Sequence, residues 1–465
     1  MEHSPLPDEA IHRLQETVRG KILLPGHDDY DDSRQVWNAM IDHRPDLIVR
    51  PLDTQDVLEA VRIAGTYDFP LSVKGGGHHV SGTAVPDYGM LLDLAEMNHV
   101  AVDPTAQIAR VQAGATWGDV DAATQAHGLA VPGGQDPNIG VAGLTLGGGV
   151  GWLSRKYGLT CDNVRSVELV TEKGELIRAS TDEYSDLFWG LCGGGGRFGV
   201  VTSFEYDLHR VGPEIFAGSI AYPLTAAPEV LRNYRAFMVD APLEVRVLFG
   251  IMALPPVTHV PEHQHGQRAV MLIVCYAGPP DTGREVLAPL RSVGTPFGDS
   301  IKQRTYTAFQ RAGESRGSVR TYLRSQYLTD LTDEAIEIIH THGSDSPSTG
   351  ATIFVSPRSG AETALSSDAT AYPHRTPAHH VLIEARWEDP AADGAHIDWV
   401  QDGYQALMPH TTGEVSMNFL TEDESVSRRR AAYGENYQRL QALQRKWDPG
   451  GRFRNTCKID PTDTG

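Results

Sequence analysis

Residues 73–82 read Val73-Lys74-Gly75-Gly76-Gly77-His78-His79-Val80-Ser81-Gly82. A strand-like approach runs into three consecutive glycines, whose backbone N–H groups carry no Cβ to hold a ligand away. Such a nest binds anions, phosphate foremost. It is not a Walker loop, which needs Gly-Lys-Ser/Thr, and no GxGxxG opens a helix here. Alone, a glycine loop is more often a plain turn, so the neighbouring clusters decide. After Pro132-Gly133-Gly134 the chain reaches an apolar segment crowded by Gly140, Gly143, Gly147, Gly148, Gly149 and Gly151 and closed by Trp152. That is too much glycine for an ordinary helix or strand, and flexible loops are seldom so apolar. A third cluster, Gly193 to Gly196, passes through Arg197-Phe198-Gly199 into Val200-Val201-Thr202. Three such loops in one half of the chain, each beside a strand, point to one extended nucleotide cofactor held close to the backbone.

Around these loops the pattern alternates strand and helix. Leu47–Arg50, Leu71–Lys74, Met90–Leu94, Ile108–Val111, Ser166–Thr171 and Val200–Leu208 read as strands. Val57, Leu58, Val61 and Ala64 fall at helical spacing, and Thr116 suits an N-cap. Beyond residue 210 glycine clusters vanish. Arg246–Gly250, Ala269–Tyr276, Thr352–Val355 and Val381–Trp387 read as strands of an antiparallel sheet, with helices at Ala227–Val239, Asp333–His342 and His396–Ala406: an α+β arrangement. Arg428–Lys446 reads as one charged amphipathic helix, stopped by Asp448-Pro449-Gly450-Gly451.

Composition narrows the partners. The 465 residues are 40% hydrophobic and 22% charged, values of a globular chain. A net charge of −20 repels phosphate backbones and acidic membranes, so neither is an expected partner. No apolar run of ~18 residues is present for a membrane span. Residues 1–20 show no basic, then apolar, leader pattern, so a cytoplasmic location is expected. Cys161, Cys192, Cys275 and Cys457 form no CxxC and read as buried thiols of a reducing compartment. Neither Asp28-Asp29-Tyr30-Asp31-Asp32 nor the pairs His263/His265 and His340/His342 has the ligand set of a metal site, so no metal is expected.

With these motifs in hand, the sequence resembles the berberine-bridge-enzyme-like oxidoreductases, within the flavoprotein family of vanillyl-alcohol oxidase and p-cresol methylhydroxylase. The resemblance rests on RPDLIVRPLDTQDVLEAVRIA (44–64), VKGGGHHVSG (73–82), GVAGLTLGGGVGWLSRKYGLTCDNV (140–164), DLFWGLCGGGGRFGVVTSFEYDLH (186–209) and YGENYQRLQALQRKWDPGGRFRNTCKI (433–459). It implies an FAD-binding domain of the p-cresol methylhydroxylase type over 1–208, made of two α+β subdomains. A substrate-binding domain over 209–412 and a segment, 413–465, that returns to complete the FAD domain would follow. It implies FAD contacts from Lys74, Gly75, Gly76, Gly77, His79, Ser81 and Gly82, then from Pro132, Gly133, Gly140, Gly143, Leu144, Gly148, Gly149, Gly151 and Trp152. Tyr157, Asn163, Gly199, Val200, Val201 and, in the tail, Asn455 complete the expected set.

The same resemblance places the flavin-linking histidine at His78, where a neutral imidazole can attack the flavin 8α carbon. His79 stands beside it, but the motif position favours His78. Where relatives with a second covalent bond carry cysteine, this chain has Asp136, so a single bond is expected. Ile139 falls at the position lining the oxygen approach, and its bulk argues against fast reaction with dioxygen. The YxNY tyrosines of alcohol-oxidising relatives are replaced by Ser416-Met417-Asn418-Phe419. A base must come from elsewhere, and Tyr372 and His374 are the expected sources. Arg34, Trp37 and Asn38 are expected to be structural. The implied activity is removal of a hydride from a small organic substrate, with flavin N5 as acceptor. Dioxygen or another acceptor would then reoxidise the flavin. A natural-product intermediate is the first expectation, as in secondary metabolism; an alcohol or sugar, or a flavin binder without turnover, are the alternatives.

Overall fold

The computed structural model describes residues 6–315 and 317–454; Asn455 and Cys457 lie outside them. The chain first builds a four-stranded sheet from β1 (Lys21–Leu23), β2 (Leu47–Arg50), β3 (Leu71–Lys74) and β4 (Met90–Asp93) in the order β1-β2-β4-β3. β2, β4 and β3 run parallel, joined through the helix Thr54–Thr66. Asp53 caps that helix by accepting from the amides of Gln55 and Asp56. Val57, Ala60, Val61 and Ala64 are fully buried on its inner face.

Next come β5 (Val100–Asp103), β6 (Ile108–Gln112), β7 (Leu129–Ala130), β8 (Val164–Val170), β9 (Leu176–Ser180), β10 (Val200–Asp207) and β11 (His209–Arg210). Five of them form an antiparallel sheet in the order β5-β6-β10-β8-β9, and β7 pairs with β11. Thr116 closes a capping box with Asp119 at the head of Trp117–Gln125. One continuous core joins both sheets and takes in Tyr433, Leu440, Leu443 and Phe453 from the end of the chain.

The third sheet holds β12 (Glu214–Pro223), β13 (Val245–Ala253), β14 (Arg268–Tyr276), β15 (Gly298–Asp299), β16 (Lys302–Thr305), β17 (Arg320–Leu328), β18 (Ala351–Arg358) and β19 (Ala378–Trp387). Its eight strands are antiparallel in the order β15-β12-β14-β13-β18-β19-β17, with β16 also on β12. Strand periodicity sorts the side chains between its faces. Val381, Ile383, Ala385 and Trp387 pack with Tyr234, Ile339, Trp399 and Val400 of the covering helices. His380, Leu382, Glu384 and Arg386 face the other way, into a cavity.

The expected single helix Arg428–Lys446 is broken. Val426–Ala431 and Tyr437–Trp447 are separate helices, divided at Gly434, whose φ of +48° is outside the right-handed helical range. Past the second helix, Asp448 accepts from the amides of Arg452 and Phe453. The strap then lies along β3: the Leu71 amide donates to Arg452 O at 3.0 Å and the Arg454 amide to Leu71 O at 2.8 Å.

Candidate functional site

A cavity of about 1400 Å³ joins the glycine loops to the open face of the third sheet. Single-ligand sites commonly occupy ~300–1,000 Å³, so a long cofactor and a second molecule fit together. Gly75, Gly76, Gly77, Gly140, Gly143 and Gly199 lie on its wall with Leu144, Trp152 and Val201. Gly76 and Gly140 meet backbone to backbone: a Cβ on Gly76 would stand 2.4 Å from Gly140 N, and one on Gly140 would stand 2.3 Å from Gly76 N. A side chain at either position would push the two loops apart. The bare amides and this narrow seam suit a flat, elongated ligand with an anionic middle.

The other glycines have a different cause. A Cβ on Gly148 or Gly193 would meet the Tyr372 ring or its Cβ at 2.6 Å and 2.5 Å, and one on Gly133 would meet Trp117 at 2.3 Å. A Cβ on Gly151 would overlap Gly133 O, and one on Gly149 would meet Thr160 Oγ1 at 2.3 Å. These positions are glycine because protein packs on them. Gly82 sits against Ile41, and Pro132 and Val200 are buried behind the wall.

Tyr372 is therefore not on the cavity. It is buried beneath the glycine loops, with its hydroxyl 3.5 Å from that of Tyr327. His374 is buried too, its Nδ1 3.6 Å from Glu414. Neither reaches the space where a substrate would bind, so the expected base role fails for both. Tyr157 and Asn163 are also away from the wall. Tyr157 stacks on His209 at 4.0 Å, and Asn163 Nδ2 donates to the carbonyls of Tyr157 and Leu159. Lys74 turns inward to the Ser33 carbonyl and to Asp93, 3.4 Å away.

His78 and His79 lie on the wall but differ in freedom. His79 Nδ1 accepts from the Ser81 hydroxyl at 2.6 Å and its Nε2 donates to Met417 O at 3.1 Å, so both nitrogens are taken. His78 stacks on Trp37, with ring centroids 5.0 Å apart. Its Nε2 lies 3.4 Å from Ser315 Oγ and 3.8 Å from Asp136 Oδ2. Burial pushes both imidazoles below the usual histidine range, so both are neutral at neutral pH. Trp37 thus does more than support the fold: Arg386 also lies over its ring at 4.9 Å, and Arg386 pairs with Glu384 at 2.8 Å.

Opposite the glycine loops the wall is mixed: Leu248, Met271, Ile273, Leu323, Phe354 and Phe419 share it with Ser219, Thr352, Ser356, Glu384 and Arg386. His380 stands among them, 4.9 Å from the Phe419 ring. Its Nε2 is buried with no partner among the described residues, and burial pushes its pKa down to about 3. The sequence reading missed His380, Glu384 and Arg386, although their alternation with Val381, Ile383 and Ala385 carried the signal. Ile139 lies on the wall and packs toward Gly134, with 3.1 Å from its Cδ1 to a Cβ placed there.

Behind this wall Asp121 accepts from Gln310 Nε2 at 2.9 Å, and burial pushes its carboxyl up to about 7. The unfolded value is ~3.9, so between the two the folded state holds a proton that the unfolded chain has lost. Stability from this group therefore falls as pH rises from ~4 to ~7. Asp121→Asn, which has no proton to lose, should gain on the parent across that window by up to about 4 kcal/mol. Urea midpoints of both proteins at pH 4 and pH 8 measure the gain; parallel shifts would refute it.

Residues 45–180 match the FAD binding domain family, and residues 417–460 match the family described as berberine and berberine like. The chain is 31% identical over 460 residues to (R)-6-hydroxynicotine oxidase of Paenarthrobacter nicotinovorans, covering 96% of this chain and 97% of the relative. The crystal structure of 6-hydroxy-D-nicotine oxidase from Arthrobacter nicotinovorans superposes with a TM-score of 0.85 at 27% identity, over 99% of this chain and 100% of that one. A Physcomitrella patens berberine-bridge-like enzyme shares the fold at a TM-score of 0.87 and 20% identity, over 98% and 99% of the two chains.

Proposed function

The chain belongs to the berberine-bridge-enzyme-like family of FAD-linked oxidoreductases, and from that premise we propose that it oxidises a small, largely apolar organic donor with FAD attached through His78. The observation that carries this reading is the cavity of about 1400 Å³ that continues from the glycine seam onto the open face of the third sheet. FAD, when bound, supplies the acceptor for a hydride from the donor carbon. Gly76 and Gly140 would hold the cofactor's backbone-facing edge, and Trp37 would fix the His78 ring. His78 is the better attachment point because its neighbour's two nitrogens are both engaged. Cysteine attachment is disfavoured because burial pushes the Cys192 and Cys275 thiols up to about 12.

The cluster of Leu248, Met271, Ile273, Leu323 and Phe354 favours a donor of natural-product character, with an apolar body, over a sugar. His380 replaces the absent tyrosine as the polar group facing the donor. Its Nε2 is enclosed and unpartnered among the described residues, so a turn of the ring toward the cavity would let it accept a hydrogen bond from the donor's O–H or N–H and orient the carbon beside it. His380→Leu should slow anaerobic flavin reduction about 100-fold or more while flavin content stays at the parent level. Because the imidazole is neutral above about pH 4, the parent rate should show no inflection near the ordinary histidine range. An unchanged rate in the variant would remove His380 from this role.

The test of the overall reading is anaerobic bleaching of the flavin absorbance by a panel of apolar alcohols, phenols and cyclic amines beside free sugars. Reduction by apolar donors is expected; reduction by sugars alone would overturn the substrate class. Reoxidation tests a separate point. Ile139 is stiff at χ1, and Ile139→Val should reoxidise faster in stopped-flow mixing with air-saturated buffer while flavin reduction changes little. Equal reoxidation rates would show that Ile139 is no gate.

A further inference from the structure

At the β12 edge of the third sheet, Lys302 and Arg304 on β16 lie opposite Ala217 and Ile215. Directly opposed residues share a face, and Ala217 and Ile215 pack with Trp152 and Phe309 beneath the cavity. Both cations accordingly line it, together with Ser219, His259 and Ser300. The hydroxyls are organised: Ser300 Oγ accepts from the Ser219 amide at 2.9 Å, and Ser219 Oγ lies 3.1 Å from His259 Nε2.

Neither cation has a carboxylate partner among the described residues. Arg304 donates from Nη2 to Ser300 O at 2.8 Å, but its Nε is buried and unpartnered. Lys302 is exposed toward the opening. Asp299, the nearest acid in sequence, is turned to Arg291 at 2.5 Å. The carboxylates on the cavity wall belong to the His78 end: Asp136 faces His78, Glu314 precedes Ser315, and Glu384 holds Arg386 over Trp37. In a chain with 60 acidic and 40 basic residues, an uncompensated pair of cations inside a cavity is a built feature. Burial also pulls the Arg304 guanidinium below its usual range, a cost that an incoming anion would offset.

We propose that Arg304, Lys302, His259, Ser219 and Ser300 form an anion subsite for the substrate, which is therefore a carboxylic acid with an apolar body. The planar guanidinium suits a carboxylate's two oxygens, Ser219 and His259 face the same space, and Met271 and Ile273 lie beside it for the apolar part. This deepens the proposed oxidation and rests on it for the word substrate; the subsite itself can be tested by binding alone.

The probes are 2-naphthoate and its neutral match, 2-naphthamide, titrated calorimetrically into the FAD-loaded protein and into protein freed of FAD as the His78→Ala variant. Naphthoate should bind the loaded protein about tenfold or more tighter than the amide, and only naphthoate should weaken as salt rises. The preference should shrink in Lys302→Gln, disappear in Arg304→Gln, and reverse in Lys302→Glu, whose exposed position protects folding. Equal affinities for the two probes on the loaded protein, or a preference that survives Lys302→Glu, would overturn the proposal. A preference seen only without FAD would assign the cations to the cofactor's own phosphates and overturn it equally. If no organic donor reduces the flavin while the naphthoate preference holds, the oxidation reading fails and the subsite stands. If donors reduce the flavin without any preference, only the subsite fails.

Discussion

His78→Ala is expected to lose all covalent flavin and still fold. The glycine seam of Gly76 and Gly140 is made of backbone and stays in place when the imidazole is removed. His79 cannot substitute, because its nitrogens are committed to Ser81 and Met417. Acid precipitation should leave a yellow pellet from the parent and a colourless one from the variant, with the yellow passing to the supernatant. A peptide spanning Gly75 to Gly82 should carry the flavin mass in the parent alone. A variant that remains covalently yellow would sink the assignment. The ring's removal also uncovers Trp37, which costs about 1 kcal/mol of stacking, small enough for the fold to survive.

Gly76→Ala is expected to open the seam that faces the cofactor space. The new Cβ would stand 2.4 Å from Gly140 N and 2.7 Å from Gly140 Cα, both backbone atoms of a second tight loop. Neither loop can swing aside as a side chain would, so the loops must separate. Overpacking of this kind costs roughly 1–3 kcal/mol of stability, and the seam that would grip the cofactor opens. Introduced beside His78→Ala, so that binding is reversible, it should weaken FAD by about 100-fold or more, equivalent to ~2.7 kcal/mol. Fluorescence titration of FAD into the two proteins measures the difference. Gly394→Ala is the control, because a Cβ there meets nothing within 4 Å and the residue is not on the cavity wall. Equal affinity in Gly76→Ala and its parent would show that the seam is not what holds FAD.

The parallel half of the first domain was legible because its strands are short apolar runs and its helix carries both a cap and a stripe. β17 was not, because its sequence holds Arg324, Ser325 and Gln326 in buried positions. Arg324 is tolerated there through Asp423, 2.7 Å away, a partner about a hundred residues on that no local pattern reveals. β12 was hidden differently: Ala217, Gly218, Ala221 and a closing Pro223 dilute its apolar signal, yet it is paired on both sides. The glycine clusters pointed to the right region but mixed two causes, ligand approach at Gly76 and protein packing at Gly148 and Gly193. That mixture also misplaced Tyr372: its ring fills the space that those glycines leave, from behind the wall. His380 needed the register of β19, which follows only when the strand is extended back to Ala378.

The strap along β3 makes cofactor capture depend on the direction of synthesis. Phe453 and Arg454 belong to the same wall as Ser72, Val73 and the glycine nest, yet more than 370 residues of chain separate them. On the ribosome, the nest, both small sheets and the whole third sheet are made before the strap exists. A nascent chain can therefore fold much of its framework but cannot finish the wall until residues 448–454 have emerged. Any attachment of flavin that needs the finished wall would then follow the folding of this strap, and a chain lacking residues 448–454 is expected to hold flavin less well.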